Sequence, residues 1–128
     1  MRSSLIYCIA VIIALIGCTT KNFTSLSVED FKTTISDTTV QLLDVRTFEE
    51  YSESHILNAH FLDLSDSLFT DKVDSVLNIE YPVAVYCRTG RRSKEAAELL
   101  TQKGFKVYEL DGGITDWKQA NLPLITED

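Results

Sequence analysis

The chain predicts an α/β fold with a central parallel β-sheet and helices on both of its faces, and three stretches carry that expectation. Pro82-Val83-Ala84-Val85-Tyr86 is a short apolar run with proline at the first position of a strand, where no ladder donor is lost. Val40-Gln41-Leu42-Leu43-Asp44-Val45 has the leucine- and valine-rich character of a strand buried on both sides. Residues 93–103 place Ala96, Ala97, Leu99 and Leu100 on one stripe of a helix. Strands alternating with helices build parallel sheets, because each parallel pair needs a helix-length crossover.

Along the chain, Ser27-Val28-Glu29-Asp30 fits a capping box, and Val28, Phe31 and Ile35 share a face, which predicts an entry helix. After the strand at 40–45, Thr47-Phe48-Glu49-Glu50 repeats the helix-start pattern for a short helix reaching Ser54. Residues 59–62 read as a strand. Residues 65–79 carry Leu68, Val73, Val76 and Leu77 at helical spacing. The helix at 93–103 takes Ser93 as its N-cap and ends at Gly104. Residues 106–110 give a further strand, Gly112-Gly113 a turn, and residues 114–120 a last helix packed through Trp117. No internal repeat or low-complexity tract interrupts this order.

The N-terminal segment reads differently. Residues 5–17 are an unbroken 13-residue apolar stretch behind Arg2. A bilayer span takes about 20 residues, so the run has the length of a signal-peptide core. It ends in Leu15-Ile16-Gly17-Cys18, which resembles the lipobox of bacterial lipoproteins: a small residue, then a cysteine that takes diacylglycerol and becomes the mature N-terminus. The division expected is a lipoprotein signal peptide at 1–17, lipidated Cys18 with a short tether at 18–25, and one domain at 26–128. Acyl chains on Cys18 would hold that domain on a membrane surface without crossing it, facing the periplasm of a bacterial envelope. Thr19 after Cys18, where some inner-membrane lipoproteins have aspartate, favours the outer membrane.

Twelve basic against nineteen acidic residues give a formal charge of −7; losing Arg2 with the signal peptide leaves eleven against nineteen, or −8. A surface that acidic does not suit the phosphate backbone, so nucleic acid is not an expected partner. Of three cysteines, Cys8 leaves with the signal peptide and Cys18 is lipidated, which leaves Cys87 without a disulfide partner. A lone thiol in an oxidising compartment points to chemistry rather than to small-residue packing.

Cys87-Arg88-Thr89-Gly90-Arg91-Arg92-Ser93 joins the clearest strand to the clearest helix, at the carboxyl end of a strand, where open α/β sheets place their ligands. The free amides and dipole at the helix start, with three arginines within five positions, favour thiolate over thiol and suit an anionic substrate. Gly90 lets the backbone turn and offers an amide at close range. Clustering beside a cysteine assigns an anion-binding role to at least one of Arg88, Arg91 and Arg92.

That loop resembles the active-site loop of rhodanese-like single-domain sulfurtransferases. The flanks agree: Leu43-Asp44-Val45-Arg46 with Glu50-Tyr51, His55-Ile56 followed by Ala59, and Leu110-Asp111-Gly112-Gly113 with Trp117. The similarity runs from about residue 26 to residue 124. It implies a rhodanese-like fold and a Cys87 that takes sulfane sulfur from a donor such as thiosulfate, becomes a persulfide, and passes the sulfur to a thiol or other thiophilic acceptor. It implies neither a metal nor an organic cofactor. Substrate would be held by Arg88, Thr89, Gly90, Arg91, Arg92 and Ser93, with Arg46 a further candidate. Where many relatives have Gly-His-Ile-Pro-Gly-Ala, this chain has Ser54-His55-Ile56-Leu57-Asn58-Ala59, and Asn121 stands where glycine is common. Asparagine is the side chain that best tolerates a left-handed backbone at such sites.

Two other functions fit parts of the pattern. Cysteine phosphatases and arsenate reductases place their arginine after five intervening residues; here that position is Ser93, and Arg92 follows Cys87 after four. A non-catalytic module could use the same cationic loop to dock an anion or a protein. Among the supporting residues, Asp44 and Arg46 read first as an ion pair and His55 as a turn residue bonding the backbone. Trp117 reads as core. His55, His60 and one cysteine do not make a zinc spacing.

Overall fold

The computed structural model describes residues 22–126. The expected signal peptide at 1–17, Cys18 and the start of the expected tether therefore lie outside the described residues. Along the chain the elements are β1 (Thr24–Leu26), α1 (Val28–Ile35), β2 (Gln41–Asp44), α2 (Phe48–Glu53), β3 (Ser54–His55), β4 (His60–Phe61), α3 (Phe69–Val76), β5 (Val83–Tyr86), α4 (Arg91–Gln102), β6 (Val107–Leu110), α5 (Gly113–Gln119) and β7 (Ile125–Thr126). Five strands form one parallel sheet in the order β1-β6-β5-β2-β4, and β3 pairs antiparallel with β7 at its side. The expected α/β architecture is thus the one adopted.

Alternation along the strands separates two cores. Leu43, Val83, Val85 and Val107 pack with Phe69 and Val73 of α3 and Ala96, Ala97 and Leu100 of α4. Leu42, Ala84, Tyr86 and Leu110 face the other way, onto Phe31 of α1 and Ile114 and Trp117 of α5. Phe31 meets Trp117 edge to face at 6.5 Å, and the indole Nε1–H donates to the Pro123 carbonyl, the core role read for Trp117. Each fully buried valine, leucine, isoleucine or phenylalanine side chain in these cores contributes on the order of 1.5–3 kcal/mol.

Several boundaries move. Thr24 and Ser25, read as the end of a tether, belong to edge strand β1, which β6 recruits in parallel register. Helix α3 starts only at Phe69 because Asp63 and Asp66 turn the chain first, their carboxylates accepting from the amides of Ser65 and Leu68. Helix α4 starts at Arg91, two residues before its expected position, with Gly90 as N-cap at φ +104°. Ser93 is therefore the third helical residue and not the cap. Asn58 and Asn121 both adopt left-handed backbone, at φ 70° and 57°, as their types allow. Gly104 closes α4 at φ +102°.

Register sets the sheet's chemistry-bearing edge. Asp44 aligns with Tyr86, so the ends of β2 and β5 lie side by side, and Val85 aligns with Glu109 of β6. Alternation from Val83 and Val85 directs Cys87 toward the α4 core, and the same parity along β6 places Glu109 on that face with Val107.

Candidate active site

Cys87 follows directly on β5, and its residue is 1% exposed. Its Sγ accepts the Gly90 N–H at 3.1 Å and donates to Ser93 Oγ at 3.4 Å. The glycine is required here. A Cβ on Gly90 would stand 1.9 Å from the Asp111 carbonyl oxygen, and the positive φ disfavours any side chain. The turn before α5 presses on the loop from the same side: the Ile114 and Thr115 amides donate to the carbonyls of Cys87 and Arg88, and a Cβ on Gly113 would meet the Arg88 carbonyl at 2.2 Å.

No side chain among the described residues caps α4, and its first turn holds no acid. The amides of Arg91, Arg92 and Ser93 have no acceptor within the helix, and they open at the same end as the Gly90 amide. Arg88, Thr89 and Arg91, the loop residues flanking the Gly90 turn, are exposed, and neither Arg88 nor Arg91 makes an ion pair among the described residues. Arg92 is held differently. Its NH1 and NH2 donate to the two carboxylate oxygens of Glu50 at 2.7 and 3.0 Å. That guanidinium, with the Thr47 amide, pulls the Glu50 carboxyl down to about 2 against the opposing effect of burial. The charge of Arg92 is favoured first by Glu50, and then by the nearby Cys87 and Asp44.

Arg46 is 3% exposed and committed. Its Nε and NH2 bind the fully buried Asp44, its NH2 also donates to the Ser54 carbonyl at 2.6 Å, and its guanidinium lies 5.7 Å from the centre of the Tyr86 ring. The ion pair expected of Asp44 and Arg46 is formed. His55 Nδ1 donates to the Tyr51 carbonyl at 2.9 Å and its ring stacks on Tyr51, which matches the turn role read for it.

The loop brings together Cys87, Gly90 and Ser93, leaves Arg88, Thr89 and Arg91 exposed and Arg92 bound to Glu50, and Arg46, a candidate for holding substrate, is taken up instead by its buried pair with Asp44. Two residues of the site escape a reading by motif. Glu109 is fully buried and accepts from Ser93 Oγ at 2.5 Å and Ser25 Oγ at 2.7 Å, with Lys94 Nζ at 3.2 Å. Lys94 also binds Asp111 at 2.7 Å; burial works against its charge, but Asp111 and Glu109 outweigh this and raise its pKa. Period-two alternation with Val107 was the available signal for Glu109.

Residues 27–120 match the model of the rhodanese-like domain. Over 108 residues the chain is 33% identical to the thiosulfate sulfurtransferase GlpE of Actinobacillus pleuropneumoniae serotype 5b, covering 83% of this chain and 96% of that protein. Over 81 residues it is 40% identical to the protein of the same name from Coxiella burnetii (strain RSA 493 / Nine Mile phase I), covering 62% and 72%. Among solved structures, the rhodanese-like domain from an Anabaena sp. protein superposes with a TM-score of 0.71 at 26% identity, covering 80% of this chain and 79% of that one. A rhodanese-related protein from Thermoplasma volcanium superposes at 0.69 and 28% identity, covering 82% and 100%. With the motif-bearing loop, the parallel sheet and these similarities in agreement, the chain belongs to the rhodanese-like domain family.

Proposed function

We propose that the protein is a sulfurtransferase that moves sulfane sulfur from thiosulfate or a similar donor to a thiophilic acceptor through a persulfide on Cys87. The observation that carries this reading is a single cysteine sulfur receiving a backbone N–H at the uncapped start of α4, in a loop whose Arg88 and Arg91 are exposed and make no ion pair among the described residues. Cys87 as thiolate attacks the outer sulfur of thiosulfate. A sulfur–sulfur bond forms to Sγ, the bond to the sulfonate sulfur breaks, and sulfite departs with its electron pair. The first-turn amides and the guanidiniums of Arg88 and Arg91 hold the sulfonate oxygens and the charge that develops on them. Burial of Cys87 suits a cargo of one atom, since only the terminal sulfur has to reach Sγ. The acceptor, a cellular thiol or cyanide in the laboratory, then removes that sulfur and frees the thiolate.

Arg46 and Arg92 serve this reading as positioning groups, the first holding the end of β2 and the second fastening α4 to α2 through Glu50. The apolar run before Cys18 and its Leu-Ile-Gly-Cys junction support a periplasm-facing lipid anchor on the outer membrane. The test is steady-state release of sulfite from thiosulfate with cyanide as acceptor. Wild type is expected to turn over and Cys87→Ser to show none; anion binding without turnover in the wild type would make the protein a docking module instead.

A further inference from the structure

Glu109 is a fully buried carboxylate that sulfur transfer, as described above, leaves without a task. Its surroundings are specific. Ser93 Oγ has a single proton, and that proton is directed at Glu109 Oε2 over 2.5 Å. Toward Cys87 the same hydroxyl therefore acts as acceptor, and the thiol proton points at it over 3.4 Å. The result is a continuous chain of donors, Cys87 Sγ–H to Ser93 Oγ–H to the Glu109 carboxylate.

The charges around this chain decide how Cys87 can ionise. Facing Glu109 are Ser25 from β1, Ser93 and Lys94 from α4, and Asp111 through Lys94. Cys87 adds to the forces that favour the charge of Arg92, but that guanidinium is already bound to Glu50. Lys94 is thus the one cation in contact with Glu109 among the described residues, and it is shared with Asp111. If the thiol proton left for solvent, a sulfur anion and a carboxylate would face one another across a single hydroxyl in the interior, and like charges that close disfavour each other strongly. If the proton moves along the chain, the buried negative charge passes from Glu109 to sulfur and its total does not change.

We infer that Glu109, acting through Ser93, takes up the proton of Cys87 when the persulfide forms and returns it when the sulfur leaves. The inference rests on the proposed persulfide chemistry. In the forward direction Sγ–H gives its proton to Ser93 Oγ, which passes its own to Glu109 Oε2; the sulfur anion attacks, and sulfite leaves with its electron pair. Ser93 then donates to sulfur and accepts from the Glu109 carboxylic acid over the same two contacts. After an acceptor takes the outer sulfur, the Cys87 thiolate recovers the proton by the reverse route. Glu109 touches no substrate and works as a positioning and proton-storing residue.

The experiment is infrared spectroscopy of the full chain loaded with one sulfur, from thiosulfate or, failing that, from inorganic polysulfide. Persulfidated wild type should carry a carboxylic-acid C=O stretch that persulfidated Glu109→Gln lacks. Cys87→Ser, with no thiol proton to give, should show Glu109 as carboxylate. Ser93→Ala keeps Glu109 and interrupts the chain; it should form persulfide at least about tenfold more slowly, with Glu109 still ionised. An ionised Glu109 in persulfidated wild type, or an acid band that survives in Ser93→Ala, would overturn the relay while leaving sulfur transfer standing. Failure of either sulfur source to load the wild type would overturn the functional reading, and the relay with it.

Discussion

The molecule contains two neighbouring strand-to-helix junctions built on opposite plans. At the end of β2, Asp44 and Arg46 neutralise each other below the surface, and α2 opens on a complete capping box in which Thr47 and Glu50 satisfy each other's backbone amides. Two acids, Glu49 and Glu50, complement its helix dipole. At the end of β5 nothing closes in this way. Helix α4 opens on a glycine, without an acid or a side-chain cap, and the Gly90 amide is spent on a sulfur. The first junction answers its own charges and amides; the second leaves its first-turn amides without a side-chain cap or an acid. The Glu50–Arg92 ion pair ties the two together, so the closed junction holds the open one in place.

Substitutions can break each plan separately. The largest effect is expected at the closed junction. Asp44→Ala leaves the Arg46 guanidinium buried without its carboxylate and should cost about 3–5 kcal/mol, read as a lower urea midpoint at unchanged slope. Next comes the turn of the open junction. Gly90→Ala combines left-handed strain with a clash against the Asp111 carbonyl, roughly 3 kcal/mol together, and should abolish thiosulfate-to-cyanide transfer. Gly104→Ala has nearly the same φ but meets only Ile79 Cδ1 at 3.7 Å; it should cost about 1–2 kcal/mol and leave transfer intact in the same assay. The smallest effect separates stability from function. Arg91→Glu gives α4 the first-turn acid that α2 has, and should stabilise the fold by about 0.3–1 kcal/mol. It should also raise KM for thiosulfate several-fold, with the difference shrinking as salt screens it.

The same contrast explains what could be read in the chain. Val83 to Tyr86, Leu42-Leu43 and the Ala96, Ala97, Leu100 stripe announce their elements through period alone, because burial selects those side chains directly. Thr47 and Glu50 announced α2 because both halves of its cap lie within four residues. Ser93 misled because serine ranks high as a local cap, whereas the true start depends on a left-handed Gly90 fitted against Asp111 from another element. Strands β1, β3 and β7, two or three residues each, have no period to display and exist through pairing with distant partners. Glu109 was hidden by its charge. Its parity with Val107 pointed inward, but the hydroxyls and ammonium that make burial tolerable come from Ser25, Ser93 and Lys94, far away in sequence.

The most direct measurement is intact mass of the purified chain after exposure to thiosulfate and removal of excess reagent. Wild type should gain the mass of one sulfur atom and lose it again on adding cyanide, and Cys87→Ser should remain unchanged. A wild type that gains nothing, or an adduct that persists in Cys87→Ser, would contradict a persulfide carried at the open junction.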